Sequence, residues 1–324
     1  MTGPDDNPAL GSDLEPFHGI ATFMRLPASR NLKGVDVAVA GIPFDSGTTY
    51  RSGTRFGPRR IRESSLLLWG YNETMGVYPT KGLKVVDYGD VKTVPVDIAA
   101  TMDQITTEVR AILEQGVTVV ALGGDHSITL PLLRAYADQY GPLAVIHFDS
   151  HPDTWPEEFA GHPYSHGTPF RRAIEEGLVD KDAYVQVGIR GPTSSPEDLA
   201  DARALAARVL TISQVFDLGI PAVVSEIRSV VGERPVYVSL DIDAVDPAFA
   251  PGTGTPEVGG LSSYQMLQLV RGLRGLNMVG FDLVEVSPPY DHSDITSILA
   301  ANLAFEFLSL LALSKREEQD GDER

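Results

Sequence analysis

The sequence predicts an α/β fold, a three-layer α/β/α arrangement around a central parallel sheet. Short β-branched apolar runs alternate with amphipathic stretches along the chain, the pattern of one sheet covered on both faces by helices. Most of those runs are continuously apolar rather than alternating, as strands buried on both faces are. No run of like charges, low-complexity linker or internal repeat divides the middle of the chain. One domain is therefore expected over residues 16–314. It lies between an acidic, Pro/Gly-rich N-terminal segment (1–15) and an acidic tail (315–324), both expected to be flexible.

The expected strands, in order, are Val35–Ala40, Val117–Leu122, Leu143–Phe148, Tyr184–Ile189, Val236–Leu240 and Met278–Leu283. Helices are expected between them. Met102, Ile105, Val109 and Ile112 follow helical spacing, and Gly116 stands where a C-cap belongs. Pro131, close behind the second strand, is tolerable only in a helix's first turn. Ser262 and Gln265 make a capping-box pattern ahead of the inward-facing Met266, Leu269, Val270 and Leu273. The longest apolar stretch, Ile298–Leu313, carries Asn302, Glu306 and Ser309 on one helical face. It reads as a nearly buried core helix rather than a membrane span.

Composition narrows the function. The 324 residues are 43% hydrophobic, enough for a large core. Lysine and arginine number 26 against 44 aspartates and glutamates, a net charge of −18, which repels a phosphate backbone and disfavours nucleic-acid binding. There is no cysteine, so disulfides, thiol nucleophiles and zinc-thiolate sites are excluded. The N-terminus lacks the charged-then-apolar pattern of a signal peptide. These features are expected of a soluble cytoplasmic protein.

Three segments concentrate metal-ligand residues just beyond expected strands: Gly123-Gly124-Asp125-His126-Ser127, Asp149-Ser150-His151-Pro152-Asp153, and Asp241-Ile242-Asp243 followed by Asp246-Pro247. In open parallel sheets, ligands bind outside the carboxyl ends of the strands. Extended backbone projects alternate side chains to one side, so Asp149, His151 and Asp153 can converge, as can Asp241 and Asp243. A lone Asp-X-Asp after a strand is more often a turn or cap than a ligand. Three such segments at equivalent strand ends are harder to ascribe to structure. Buried together, these groups would be prohibitively costly without cations. Four aspartates and two histidines suit two divalent ions of the manganese, cobalt or nickel type. Gly41–Thr49 has no lysine for a phosphate loop, and neither a nucleotide-binding GxGxxG nor a G-x-S-x-G nucleophile elbow occurs.

GGDHS, the Asp-X-His-X-Asp run and SLDIDAVDPAFAPGTGTPEVGG resemble the signature segments of the arginase/agmatinase ureohydrolase family. SGTRFGPRRIR, HGTPFRRAIEEGL, VQVGIRG and LVEVSPPYD extend the resemblance toward its agmatinase and guanidinobutyrase-like branch. The resemblance implies an arginase/deacetylase-like fold, two divalent metal ions (Mn²⁺, with Ni²⁺ as the second choice) and a homo-oligomer, trimer or hexamer. It implies that His126 and Asp153 complete one metal position, His151 and Asp243 the other, and that Asp149 and Asp241 bridge the two. His166 matches the family's catalytic histidine and Glu285 the carboxylate that holds the substrate guanidinium. The implied reaction is hydrolysis of a guanidino compound, agmatine or a guanidino acid such as 4-guanidinobutyrate, to urea and an amine.

A guanidinium carbon is a poor electrophile, so a strong nucleophile is required; hydroxide shared by two metal ions answers that requirement. Asp153 is expected to orient it, Glu285 to fix the guanidinium by charge-assisted hydrogen bonds, and His166 to relay a proton to the departing amine. Ser150 stands where the family most often has alanine, and Trp155 where arginases have an asparagine that holds the substrate's amino-acid head group. Trp155 therefore points away from arginine and toward a shorter or more apolar tail, or an aromatic wall beside a cation. Guanidine or an alkylguanidine is the alternative substrate, a formimino or amide hydrolase the alternative activity, and a non-catalytic partner subunit the remaining reading. His147, inside a strand, reads as a core or supporting residue.

Overall fold

The computed structural model describes residues 15–322. Its framework is an eight-stranded, all-parallel sheet. The strands are β1 (Val37–Ile42), β2 (Val85–Asp90), β3 (Thr118–Gly123), β4 (Leu143–Phe148), β5 (Val179–Ile189), β6 (Arg208–Thr211), β7 (Val236–Asp241) and β8 (Met278–Val284). Their order is β2-β1-β3-β8-β7-β4-β5-β6. Six of the eight coincide with expected strands to within a few residues at either end. The two that the sequence did not announce, β2 and β6, are the two edges. An edge strand is paired on one side only and need not be apolar throughout. β2 trails into the half-exposed Tyr88 and Gly89, and β6 has only four residues with partly exposed ends.

Each strand's alternate residues feed two separate cores, because the pleat sends neighbours to opposite faces. Val37, Val39, Val120, Leu122, Ile146 and Phe148 pack on one face with the helices Gly57–Ser65, Ile220–Val231, Ser263–Arg271 and Ile295–Asp322. Ala38, Ala40, Val119, Ala121 and Val145 pack on the other with Ile98–Leu113, Thr129–Tyr140 and Pro169–Glu175. The three layers are as expected.

The local signals hold as well. Ser262 caps its helix through the Gln265 amide. Gly116 turns the chain at φ +74° just beyond the helix Ile98–Leu113, and Pro131 lies in a first turn. In the last helix, Glu306 takes Arg271 through two oxygens (3.0 and 2.6 Å), and Asn72 reaches both Glu306 and Ser309. That helix is apolar enough to cross a membrane, but most of its apolar stretch is buried in the protein's own core.

The tail is a correction. Residues 315–322, expected to be loose, continue the last helix. Lys315 ties it to Asp36 (2.6 Å) and Glu317 pairs with Arg274 (2.7 Å), so the polar residues there bind the helix to the body. The expectation for the N-terminal segment falls almost wholly outside the described residues.

Candidate metal centre

The four middle strands, β3, β8, β7 and β4, end side by side, and each delivers acidic or imidazole side chains to the same crevice. After β3 the chain must turn at once, and Gly124 permits it: a Cβ there would lie 1.9 Å from the Phe44 carbonyl oxygen. Asp125 then accepts the Ser127 amide (3.1 Å) and the Gly47 amide (2.7 Å), which fixes the turn and aims His126 inward. β4 runs straight into Asp149, and β7 ends on Asp241, whose carboxylate accepts the Asp243 amide (2.8 Å).

His126 Nδ1 lies 2.9 Å from Asp153, 3.1 Å from Asp149 and 3.3 Å from Asp241. His151 Nδ1 lies 3.1 Å from Asp243 and 3.5 Å from Asp149. All six residues expected to bind metal therefore meet, in two groups that share Asp149. Five of the six are buried, and His151 is partly exposed. Their spacing suits cations. Ligand atoms around an octahedral ion bound at about 2.1 Å stand roughly 3 Å apart. The hydrogen-bond census agrees, since His126 Nδ1 and Asp243 Oδ2 are buried with no hydrogen-bond partner. A lone pair aimed at carboxylate oxygens is costly unless a cation lies between them.

Electrostatics says the same. Burial and the charges of Asp243 and Asp149 push Asp241 well above the usual carboxylate range. Burial and Asp149 raise Asp243 and push Asp153 up to about 7. Asp149 goes the other way: burial opposes its charge, but the imidazoles of His147, His126 and His151 around it hold it well below that range. Carboxylates crowded in this way take up protons unless divalent cations replace them.

His147 approaches Asp149 at 2.7 Å through Nε2 and is close enough to be counted among the ligands. Its wiring decides otherwise. Gln186 donates to the Tyr184 hydroxyl (2.8 Å), which leaves the Tyr184 hydrogen for His147 Nδ1 (3.0 Å). Nε2 therefore carries the ring's hydrogen and donates to Asp149. Burial holds this histidine neutral, with its pKa lowered to about 4. Its hydrogen bond holds Asp149 in place.

Glu285, at the end of β8, accepts the His126 amide (2.9 Å) and His166 Nδ1 (3.0 Å) on one oxygen; its other oxygen is buried without a partner. Asp153 and Glu285 both adopt left-handed backbone (φ +48° and +64°), a strain of about 1 kcal/mol or more each that concentrates where side chains must be aimed. Burial opposes charge on His166, but its bond to Glu285 outweighs this and pushes the pKa up to about 9. The Thr49 amide faces His166 Nε2 at 3.1 Å and favours the neutral ring, so the two contacts pull its proton affinity in opposite directions. The Thr49 hydroxyl lies 2.8 Å from the same nitrogen.

Trp155 is half-buried beside the Asp153 turn, and its amide donates to the Gly167 carbonyl (3.1 Å), binding this turn to the His166 loop. The Ser150 hydroxyl finds its partner in Asp243 (2.7 Å). Asp246 does not join the cluster. It accepts the amides of Ala248, Gly259 and Gly260 and so holds a loop.

Sequence reasoning missed Thr49, Glu158, Ser239 and Asp282. Glu158 accepts the Gly167 amide (2.9 Å) and lies 4.0 Å from His166 Nε2. The segment 43–49, without phosphate-binding character, reaches the site, where the Gly47 amide meets Asp125 and Thr49 meets His166. An acid inside an otherwise apolar strand, Asp282 in Met278–Val284, was the one signal that could have been followed.

Comparison with known proteins agrees with this geometry. The sequence model described as the Arginase family matches residues 35–309. Guanidinopropionase from Pseudomonas aeruginosa is 46% identical over 97% of this chain and 98% of its own length. Guanidinobutyrase from the same organism is 44% identical over 94% and 96%. The solved structure of proclavaminate amidinohydrolase from Streptomyces clavuligerus superposes with a TM-score of 0.89 at 47% identity, covering 92% of this chain and 99% of that one.

Proposed function

Because the chain belongs to the arginase family, we propose that it is a ureohydrolase cleaving a linear guanidino compound, agmatine or a guanidino acid such as 4-guanidinobutyrate, to urea and an amine. The observation that carries this reading is the meeting of His126, Asp149, His151, Asp153, Asp241 and Asp243 around orphaned ligand atoms, with Glu285 and His166 beside them. The relatives named for guanidino acids and for agmatine support the substrate class.

The six-residue cluster would hold two divalent cations, manganese first and nickel second. When bound, they supply water acidified enough to attack near neutral pH. The chain's own residues do the rest. The partnerless oxygen of Glu285 accepts the substrate guanidinium through charge-assisted hydrogen bonds. Asp153, held at its strained turn, orients the attacking water and takes its proton. His166 shares Glu285 with the incoming guanidinium, so its hold on a proton weakens as substrate arrives. That proton goes to the departing amine. The half-buried Trp155, two residues beyond Asp153, takes the position of the arginase head-group asparagine and favours a substrate tail without an amino-acid head group. The enzyme is cytoplasmic and assembles as a trimer or hexamer.

The test is a urea-release panel over agmatine, 4-guanidinobutyrate, 3-guanidinopropionate, arginine, guanidine and dimethylguanidine, with protein loaded separately with manganese, nickel or cobalt. Urea from one or more linear guanidino compounds, and little from arginine, is expected. Turnover confined to formimino or acetylated substrates would overturn the ureohydrolase reading.

A further inference from the structure

We infer that Ser239 and Asp282 are positioning residues that prepare His126 to bind its cation, through a buried relay running from β8 across β7. The inference rests on the binuclear reading of the centre.

Asp282 is fully buried in the middle of β8, where a carboxylate has no role in packing. One of its oxygens accepts the Ser239 hydroxyl (2.7 Å); the other accepts the hydroxyls of Tyr237 (2.7 Å) and Thr129 (2.9 Å). A serine hydroxyl has one hydrogen, and Ser239 gives it to Asp282. What Ser239 turns toward His126 Nε2, 2.9 Å away, is therefore a lone pair. Nε2 must carry a hydrogen to meet it. The lone pair available to a neutral His126 is then confined to Nδ1, the atom that faces Asp149, Asp153 and Asp241. The relay thus selects the tautomer, fixes the ring's orientation and, through the carboxylate behind the serine, makes Nδ1 a better donor.

His151 has no such device on the far side of its ring: Ser150, which gives its hydrogen to Asp243 (2.7 Å), meets the cation-facing Nδ1 instead (3.1 Å). Its Nε2 lies 3.8 Å from Glu257 at the solvent side, and the ring is partly exposed. Loss of the relay should therefore weaken one of two binding steps and spare the other.

The experiment titrates metal-free wild type, Ser239→Ala, Ser239→Thr and Tyr237→Phe with manganese against a competing chromophoric chelator; circular dichroism of the metal-free forms verifies folding. Wild type is expected to bind two ions. Ser239→Ala should bind one of them about 10- to 100-fold more weakly, with the other unchanged. Ser239→Thr, which keeps the hydroxyl, should restore most of the loss. Tyr237→Phe removes a different hydroxyl from the same carboxylate and should leave both steps within about twofold of wild type. Unchanged affinities in Ser239→Ala, equal weakening of both steps, or an equal effect of Tyr237→Phe would each overturn the relay. A wild type that binds fewer than two ions would instead overturn the binuclear reading on which the relay depends.

Discussion

Replacing Glu285 by glutamine keeps the side chain's shape and its strained backbone but removes the charge. One Glu285 oxygen already serves the His126 amide and His166 Nδ1. A glutamine carbonyl satisfies those two and leaves an NH₂ group where the partnerless oxygen stood. That group donates instead of accepting and faces the substrate's own N–H donors. The loss is one charge-assisted contact, about 1.5–3 kcal/mol, so kcat/KM for the best guanidino substrate should fall about 10- to 150-fold.

A second signature follows from His166. Its pKa, held up to about 9 by Glu285, should relax toward its ordinary 6.5. The wild-type ring keeps its proton up to about pH 9 and the variant's should lose it at lower pH, so the deficit should widen as pH rises toward 9. Initial rates of urea release between pH 6 and 9.5, with metal content measured on the same samples, test both expectations. A loss under about threefold, a deficit constant with pH, or a fall in bound metal would refute the assignment of Glu285 as the guanidinium acceptor coupled to His166.

Three further outcomes are expected. His151→Ala should reduce bound metal from two ions and remove most activity; full occupancy by elemental analysis would exclude it as a ligand. In Gly124→Ala the new methyl would meet the Phe44 carbonyl oxygen at 1.9 Å. Backbone must then move, at a cost of about 3 kcal/mol or more, lowering the melting temperature by roughly 4 °C or more. An unchanged melting curve would show that the turn is not that tight. Chelation of bound metal should destabilise the fold, by about 2.7 kcal/mol for each ion lost, relative to protein held at one hundred times that ion's dissociation constant. Scanning calorimetry with and without a chelator reads that shift, and coincident transitions would deny any linkage between the cluster's ions and folding.

The sequence determined what depends on neighbours along the chain. Six strands were legible because burial on both faces requires nearly uninterrupted apolar residues, and the edges β2 and β6 escaped because that requirement lapses there. The six residues proposed to bind metal were legible because each sits within a few residues of a strand's end, and parallel strands bring their carboxyl ends together. Tertiary structure alone decided the partnerships between distant segments. Glu285 meets His166 across 119 positions, Thr49 meets the same ring across 117, and Ser239 meets His126 across 113. No local periodicity records such pairs. They follow from the strand order, which sets β8 between β3 and β7 and so places the acids of one end of the chain against the histidines of its middle.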